Sequence, residues 1–124
     1  MLFLQSKLVR GILFLGNHLI DIKKLRDYCL STQHPEGCHK ARVFLSALGM
    51  TSADAEKLRE ILLIAATVNN EVFMTGTDQY GCRYIFDVLV TWNNREAFVR
   101  SAWIIKTGEN FPRLVSCYVV RNAP

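Results

Sequence analysis

The 124-residue chain lacks the short motifs that announce common chemistries. It has no glycine-rich nucleotide loop, no H-E-x-x-H and no G-x-S-x-G, so the sequence offers no phosphate cradle, zinc-protease helix or nucleophile elbow. Its acidic residues are dispersed and form no paired-carboxylate motif, which speaks against a metal-ion nuclease. The four cysteines, Cys29, Cys38, Cys82 and Cys117, form no C-x-x-C pair, and a disulfide framework is not expected. Cys29, His34, Cys38 and His39 match no common zinc spacing. The cysteines therefore read as free, mostly buried thiols, and neither a metal nor a cofactor is expected. Long hydrophobic runs are also missing from the first twenty residues. Lys7, Arg10, Asn17 and His18 interrupt Met1–Ile20, and the run Ile12–Leu15 is far short of the roughly 20 residues a membrane helix needs. No A-x-A site follows it, unlike a secretory signal. A cytoplasmic location without membrane contact is expected. Residues 1–20 read as an N-terminal extension, a strand or short amphipathic helix lying on a single domain of residues 21–124.

What is present is globular: 50% hydrophobic and 21% charged residues, with a formal charge of +4 and a pI near 9.0. That mild basic bias is compatible with a phosphate-bearing partner. Asp21 is a good N-cap for a helix over Ile22–Leu30, with Leu25, Tyr28 and Cys29 at helical spacing. Ser31–Gly37 consists of turn formers and breakers. A second helix carries Ala41, Phe44, Leu45 and Leu48 on one face and ends at Gly49. Thr51 or Ser52 caps a third, with Leu58, Ile61, Leu62 and Ala65 as its buried stripe. After Asn69-Asn70 the period changes to two. Strands are predicted over Glu71–Thr75, Arg83–Trp92, Ala97–Lys106 and Arg113–Val120, the middle pair joined by an Asn93-Asn94 turn. The predicted class is α+β: two to three helices packed on one face of an antiparallel meander of about four strands.

Alternation assigns faces within each strand. Tyr84, Phe86, Val88 and Val90 form the natural core side, opposite Arg83, Asp87 and Thr91. Val99, Ser101, Trp103 and Ile105 oppose Arg100, and Arg113, Val115 and Cys117 oppose Leu114, Ser116 and Tyr118. If arginines avoid the core, Arg83, Arg100 and Arg113 share one open face of the sheet. Ser116 and Tyr118 are then expected to face the helices.

Four segments resemble a family: 21–30 (DIKKLRDYCL), 34–44 (HPEGCHKARVF), 80–84 (YGCRY) and 112–118 (PRLVSCY). Together they are similar to the bacterial family known as domain of unknown function 6883, over residues 19–120. The resemblance imports almost no function. Its order of helices followed by a meander is in turn similar to the barnase–EndoU–colicin–RelE group of toxin ribonucleases, an analogy of fold.

The segment His34–Lys40 draws attention for its chemistry. Gly37 lets a backbone approach a ligand closely, and the following helix start is receptive to phosphate. His39 and Lys40 sit in the first helical turn, where the dipole disfavours positive charge. Guanidinium groups recognise phosphate or carboxylate with paired hydrogen bonds. The expectation is a metal-independent endoribonuclease acting as a toxin of a toxin–antitoxin or related system. His39, Lys40 and Arg83 are its candidate catalytic residues, and Lys40, Arg83, Arg100 and Arg113 its phosphate ligands. RNA and a cognate antitoxin or immunity protein are the expected partners, with a homodimer through an exposed strand edge. The alternative is a non-catalytic, antitoxin-like module whose arginines hold an acidic protein.

Overall fold

In the computed structural model, residues 7–9, 19–68 and 71–122 are described, Lys7–Val9 and Arg121–Asn122 by their backbone. The predicted readings of Met1–Ile20 fall largely outside these residues, but Lys7–Val9 forms a short strand, β1. Asp21 caps α1 as expected, its carboxylate accepting the Lys23 N–H at 3.0 Å. The helix is α-helical only over Ile22–Lys24 and widens into a π turn over Leu25–Cys29. The Leu30 N–H reaches back to the Leu25 carbonyl at 2.9 Å and closes that turn.

The next helix, α2, covers Cys38–Leu48 and stops at Gly49, whose φ of 69° is the left-handed cap the sequence predicts. Ala41, Phe44 and Leu48 are buried, but Leu45, expected on the same face, is 45% exposed. Its position one residue past Phe44 turns it about 100° away from the core direction. A 3-10 turn at Ser52–Asp54 leads into α3, Ala55–Val68, and Thr51 forms a capping box with Asp54.

The meander follows: β2 (Val72–Asp78), β3 (Gly81–Trp92), β4 (Arg95–Lys106) and β5 (Arg113–Asn122). β1 pairs antiparallel with β2, so the sheet is five-stranded in the order β1-β2-β3-β4-β5. The class is α+β. The β3–β4 ladder is in unbroken register from Gly81↔Lys106 to Trp92↔Arg95. Asn93 and Asn94 turn that hairpin with φ of 53° and 59°. The Asn93 amide donates to the Leu48 and Gly49 carbonyls at 3.0 and 3.3 Å, tying the hairpin tip to the end of α2.

Tyr84, Phe86 and Val90 line the inner sheet face with Ala97, Val99, Ser101 and Trp103, as alternation requires. The Phe86 and Trp103 rings stack at 5.9 Å. The Trp103 Nε1–H donates to Ser101 Oγ at 2.8 Å, so this buried donor is satisfied.

β5 departs from simple alternation. Its pairing shifts between Ala102 and Trp103, giving Ala102↔Ser116 and Trp103↔Leu114 and leaving Val115 as an extra residue. Leu114 and Cys117, expected on opposite faces, are therefore both in the core. Arg113 and Tyr118, also expected on opposite faces, both fall on the outer one, paired with Ile104 and Arg100. Among the described residues no helix is long and apolar enough to cross a membrane.

Candidate functional site

The register puts Arg83, Arg100 and Arg113 on the same outer face. Arg83 and Arg113 flank Ile104 in one row, and Arg100 pairs with Asp87 farther along. Each guanidinium already has a carboxylate. Arg100 forms a fork to Asp87 at 2.8 and 3.0 Å, and Arg113 a fork to Glu109 at 2.8 Å on both arms. Arg83 stands 3.6 Å from Asp78. The hydrogen bonds to Asp87 hold Arg100 above its usual basicity against desolvation, with a smaller contribution from Tyr118. Hydrogen bonding to Arg113 likewise holds Glu109 below the ordinary carboxylate range. This face is thus close to neutral, pair by pair.

Lys40 is placed differently. It leaves the first turn of α2 beside β5, and Nζ donates to Ser116 Oγ at 3.1 Å and to the Tyr28 hydroxyl at 3.3 Å. The same ammonium stands 5.0 Å from the centre of the Tyr28 ring and 5.7 Å from that of Tyr118. Among the described residues it has no carboxylate partner. His39, exposed, lines with Lys40, Val43, Tyr118 and Val119 a depression of about 240 Å³. Arg100 meets this cluster through Tyr118, its cross-strand neighbour. Arg83 lies two strands from Arg113, about 10 Å across the sheet, and does not join the Lys40 cluster.

Local sequence explains how Lys40 is held there. A Cβ on Gly37 would sit 2.1 Å from the Tyr28 carbonyl oxygen, so only glycine permits α2 to start against α1. The expected close approach thus serves a backbone contact inside the fold. His34 completes the turn, its Nδ1 accepting the Glu36 and Gly37 N–H groups at 3.0 and 2.9 Å. Its ring meets Tyr28 edge-on at 4.8 Å. Beneath Lys40 lies Cys29, whose Sγ is 3.8 Å from Ser116 Oγ and accepts the Cys117 N–H at 3.5 Å. The Cys117 thiol, its backbone N–H, Ser116 and Lys40 together lower the Cys29 pKa to about 6 despite burial. Cys117 is pushed the other way, by its hydrogen bond to Cys29 and by burial. Both are fully buried, whereas Cys38 and Cys82 are only half-buried. Among the described residues no three His, Cys, Asp or Glu side chains are grouped to hold a metal.

Tyr28 and Ser116 were not singled out as site residues by the sequence. Tyr28 reads as a helix-spacing aromatic and Ser116 as one of the residues facing the helices; the register instead pairs Ser116 with Ala102, in the same row as Tyr118, and Lys40 reaches it where α2 lies beside β5.

A family model described as Domain of unknown function (DUF6883) matches residues 15–121, and the chain belongs to that family. Searches of curated proteins and of solved structures find no match.

Proposed function

We propose that the protein binds RNA at the Lys40 cluster and cleaves it without a metal, as a toxin of a toxin–antitoxin or related system acting in the cytoplasm. The observation that carries this reading is the Lys40 ammonium. It is held by two hydroxyls and two aromatic faces, has no carboxylate partner among the described residues, and opens with exposed His39 on a shared depression. A lysine so placed offers its charge to an incoming phosphate, which a lysine in a salt bridge does not.

In the reaction, His39 takes the proton of a ribose 2′-hydroxyl, whose oxygen attacks the adjacent phosphorus. Lys40 stabilises the negative charge that develops on the non-bridging oxygens, and Ser116 and Tyr28 keep its Nζ in place. The P–O5′ bond breaks as the Tyr118 hydroxyl protonates the leaving oxygen, giving a 2′,3′-cyclic phosphate and a 5′-hydroxyl. Arg100 positions Tyr118 from the outer face. Arg83 and Arg113 contribute longer-range attraction, since their own carboxylates must be displaced before they bind phosphate directly.

A second reading has its own support. Three arginines on one sheet face suit a non-catalytic module that exchanges its internal carboxylates for those of an acidic protein. Incubation of the purified protein with total RNA in EDTA separates the two. Fragments ending in cyclic phosphate are expected from the wild type and are lost in Lys40→Ala. Intact RNA, together with unarrested growth of bacteria on induction, leaves only the binding module.

A further inference from the structure

The pair beneath Lys40 has a chemistry of its own. Cys29 ends the π turn of α1 and Cys117 lies on the inner face of β5, 88 residues away in sequence. Both are fully buried, and the fold presses them together: Cys29 Sγ accepts the Cys117 N–H at 3.5 Å. We propose that Cys29 and Cys117 are an oxidisable dithiol, a modification site that hydroperoxides close to a disulfide joining α1 to β5. This does not rest on the RNA reading.

The two sulfurs are equipped for different parts. Cys29 is the nucleophile. A backbone N–H, the Ser116 hydroxyl and, through it, the Lys40 ammonium surround it with positive polarity, and it ionises near pH 6. Cys117 is held as the thiol and supplies the second sulfur. Cys38 and Cys82 lack such surroundings: the Cys38 thiol donates to the Pro35 carbonyl, and Cys82 accepts from the Thr77 hydroxyl. Peroxide reaches the pair by local opening beside Ser116, which lies next to both sulfurs and is only half-buried.

The steps balance. The Cys29 thiolate attacks one oxygen of hydrogen peroxide, the O–O bond breaks and hydroxide leaves, giving a sulfenic acid. The Cys117 sulfur then attacks the Cys29 sulfur; the S–S bond forms, the S–O bond breaks, and the departing hydroxide takes the Cys117 proton as water. The sulfurs lose two electrons and the peroxide oxygens gain them. Closure removes a negative charge one hydroxyl away from Lys40, so the oxidation state is felt at that ammonium.

The test treats the full wild-type chain with hydrogen peroxide, alkylates remaining thiols and maps peptides without reduction. A single Cys29–Cys117 linkage is expected, with Cys38 and Cys82 still alkylatable, and dithiothreitol reverses it. In Cys117→Ser the sulfenic acid on Cys29 persists and is captured by dimedone. Oxidation of Cys38 or Cys82 before the buried pair overturns the proposal. So does dimedone capture on wild-type Cys29 without a linkage, or failure of both buried thiols to react.

Discussion

The outer sheet face and the Lys40 cluster both concentrate cations, and they use them in opposite ways. Arg83, Arg100 and Arg113 each meet a carboxylate, two of them as forks with short bonds. Lys40 meets hydroxyls and ring faces instead. A guanidinium locked to a carboxylate contributes structure and little net field, whereas an ammonium bonded to hydroxyls, with the Cys29 sulfur one hydroxyl farther off, keeps more of its charge for a ligand. Counting basic residues therefore says less about a phosphate site than asking which of them are already neutralised.

The sharpest way to break this comparison is kinetic. If Lys40 is the working cation, Lys40→Ala lowers RNA cleavage by about 10²–10³-fold, the usual loss for one preorganised electrostatic group. Arg83→Ala and Arg113→Ala leave the rate close to wild type; equal losses from all three would erase the distinction.

Next in size is the Arg100–Asp87 fork. Removing one partner of a buried pair costs about 3–5 kcal/mol, and here the partial exposure of Asp87 reduces this to about 2 kcal/mol. Urea midpoints of Arg100→Ala and Asp87→Ala should fall together, and the double variant should lie well above the sum of the two losses. Gly37→Ala tests the contact that seats α2. Overpacking against the Tyr28 carbonyl should destabilise by about 1–3 kcal/mol, and it should weaken RNA cleavage by displacing Lys40.

The buried thiols add a pH signature to the Lys40 side. Between about pH 6 and the ordinary thiol value, the folded chain carries one thiolate and the unfolded chain none. The unfolded state then binds more protons, so stability rises with pH across that window and is lost as pH falls through about 6. Above the ordinary value the unfolded chain loses both thiol protons and the trend reverses. Cys29→Ser should flatten the rise, and thiolate absorbance should titrate near pH 6 in the wild type alone. The smallest effect belongs to Glu109→Gln: with the Glu109 carboxylate held low by Arg113, its contribution is present at neutral pH and lost in acid. High salt should mask the substitution, as for other half-exposed pairs.

Most of the secondary structure is legible in the chain because its signals are local. Asp21, Gly49, Thr51 and the Asn93-Asn94 pair act through their own backbone neighbours, so the caps and the hairpin turn lie where those residues predict. The inner face of β3 and β4 is equally plain, since that ladder has no irregularity. The common face of the three arginines also follows from alternation, although for Arg113 it holds only because the β5 bulge leaves it opposite Ile104. Less of the site was legible. His39 and Lys40 stand out by charge at a helix start, but the Ser116 that Lys40 meets lies 76 residues away on β5, and the helix start is seated by a glycine packed against the Tyr28 carbonyl.

By itself, then, the sequence determined the class, the caps, the turns and the hydrophobic face of the central hairpin, because each follows from interactions a few residues long. Tertiary structure decided which cations are neutralised and which remains open. Asp87 reaches Arg100 only across a ladder, and Ser116 reaches Lys40 only where β5 lies beside α2, 76 residues away in sequence. Charge compensation is a property of distances between side chains, and those distances are set by the register of paired strands.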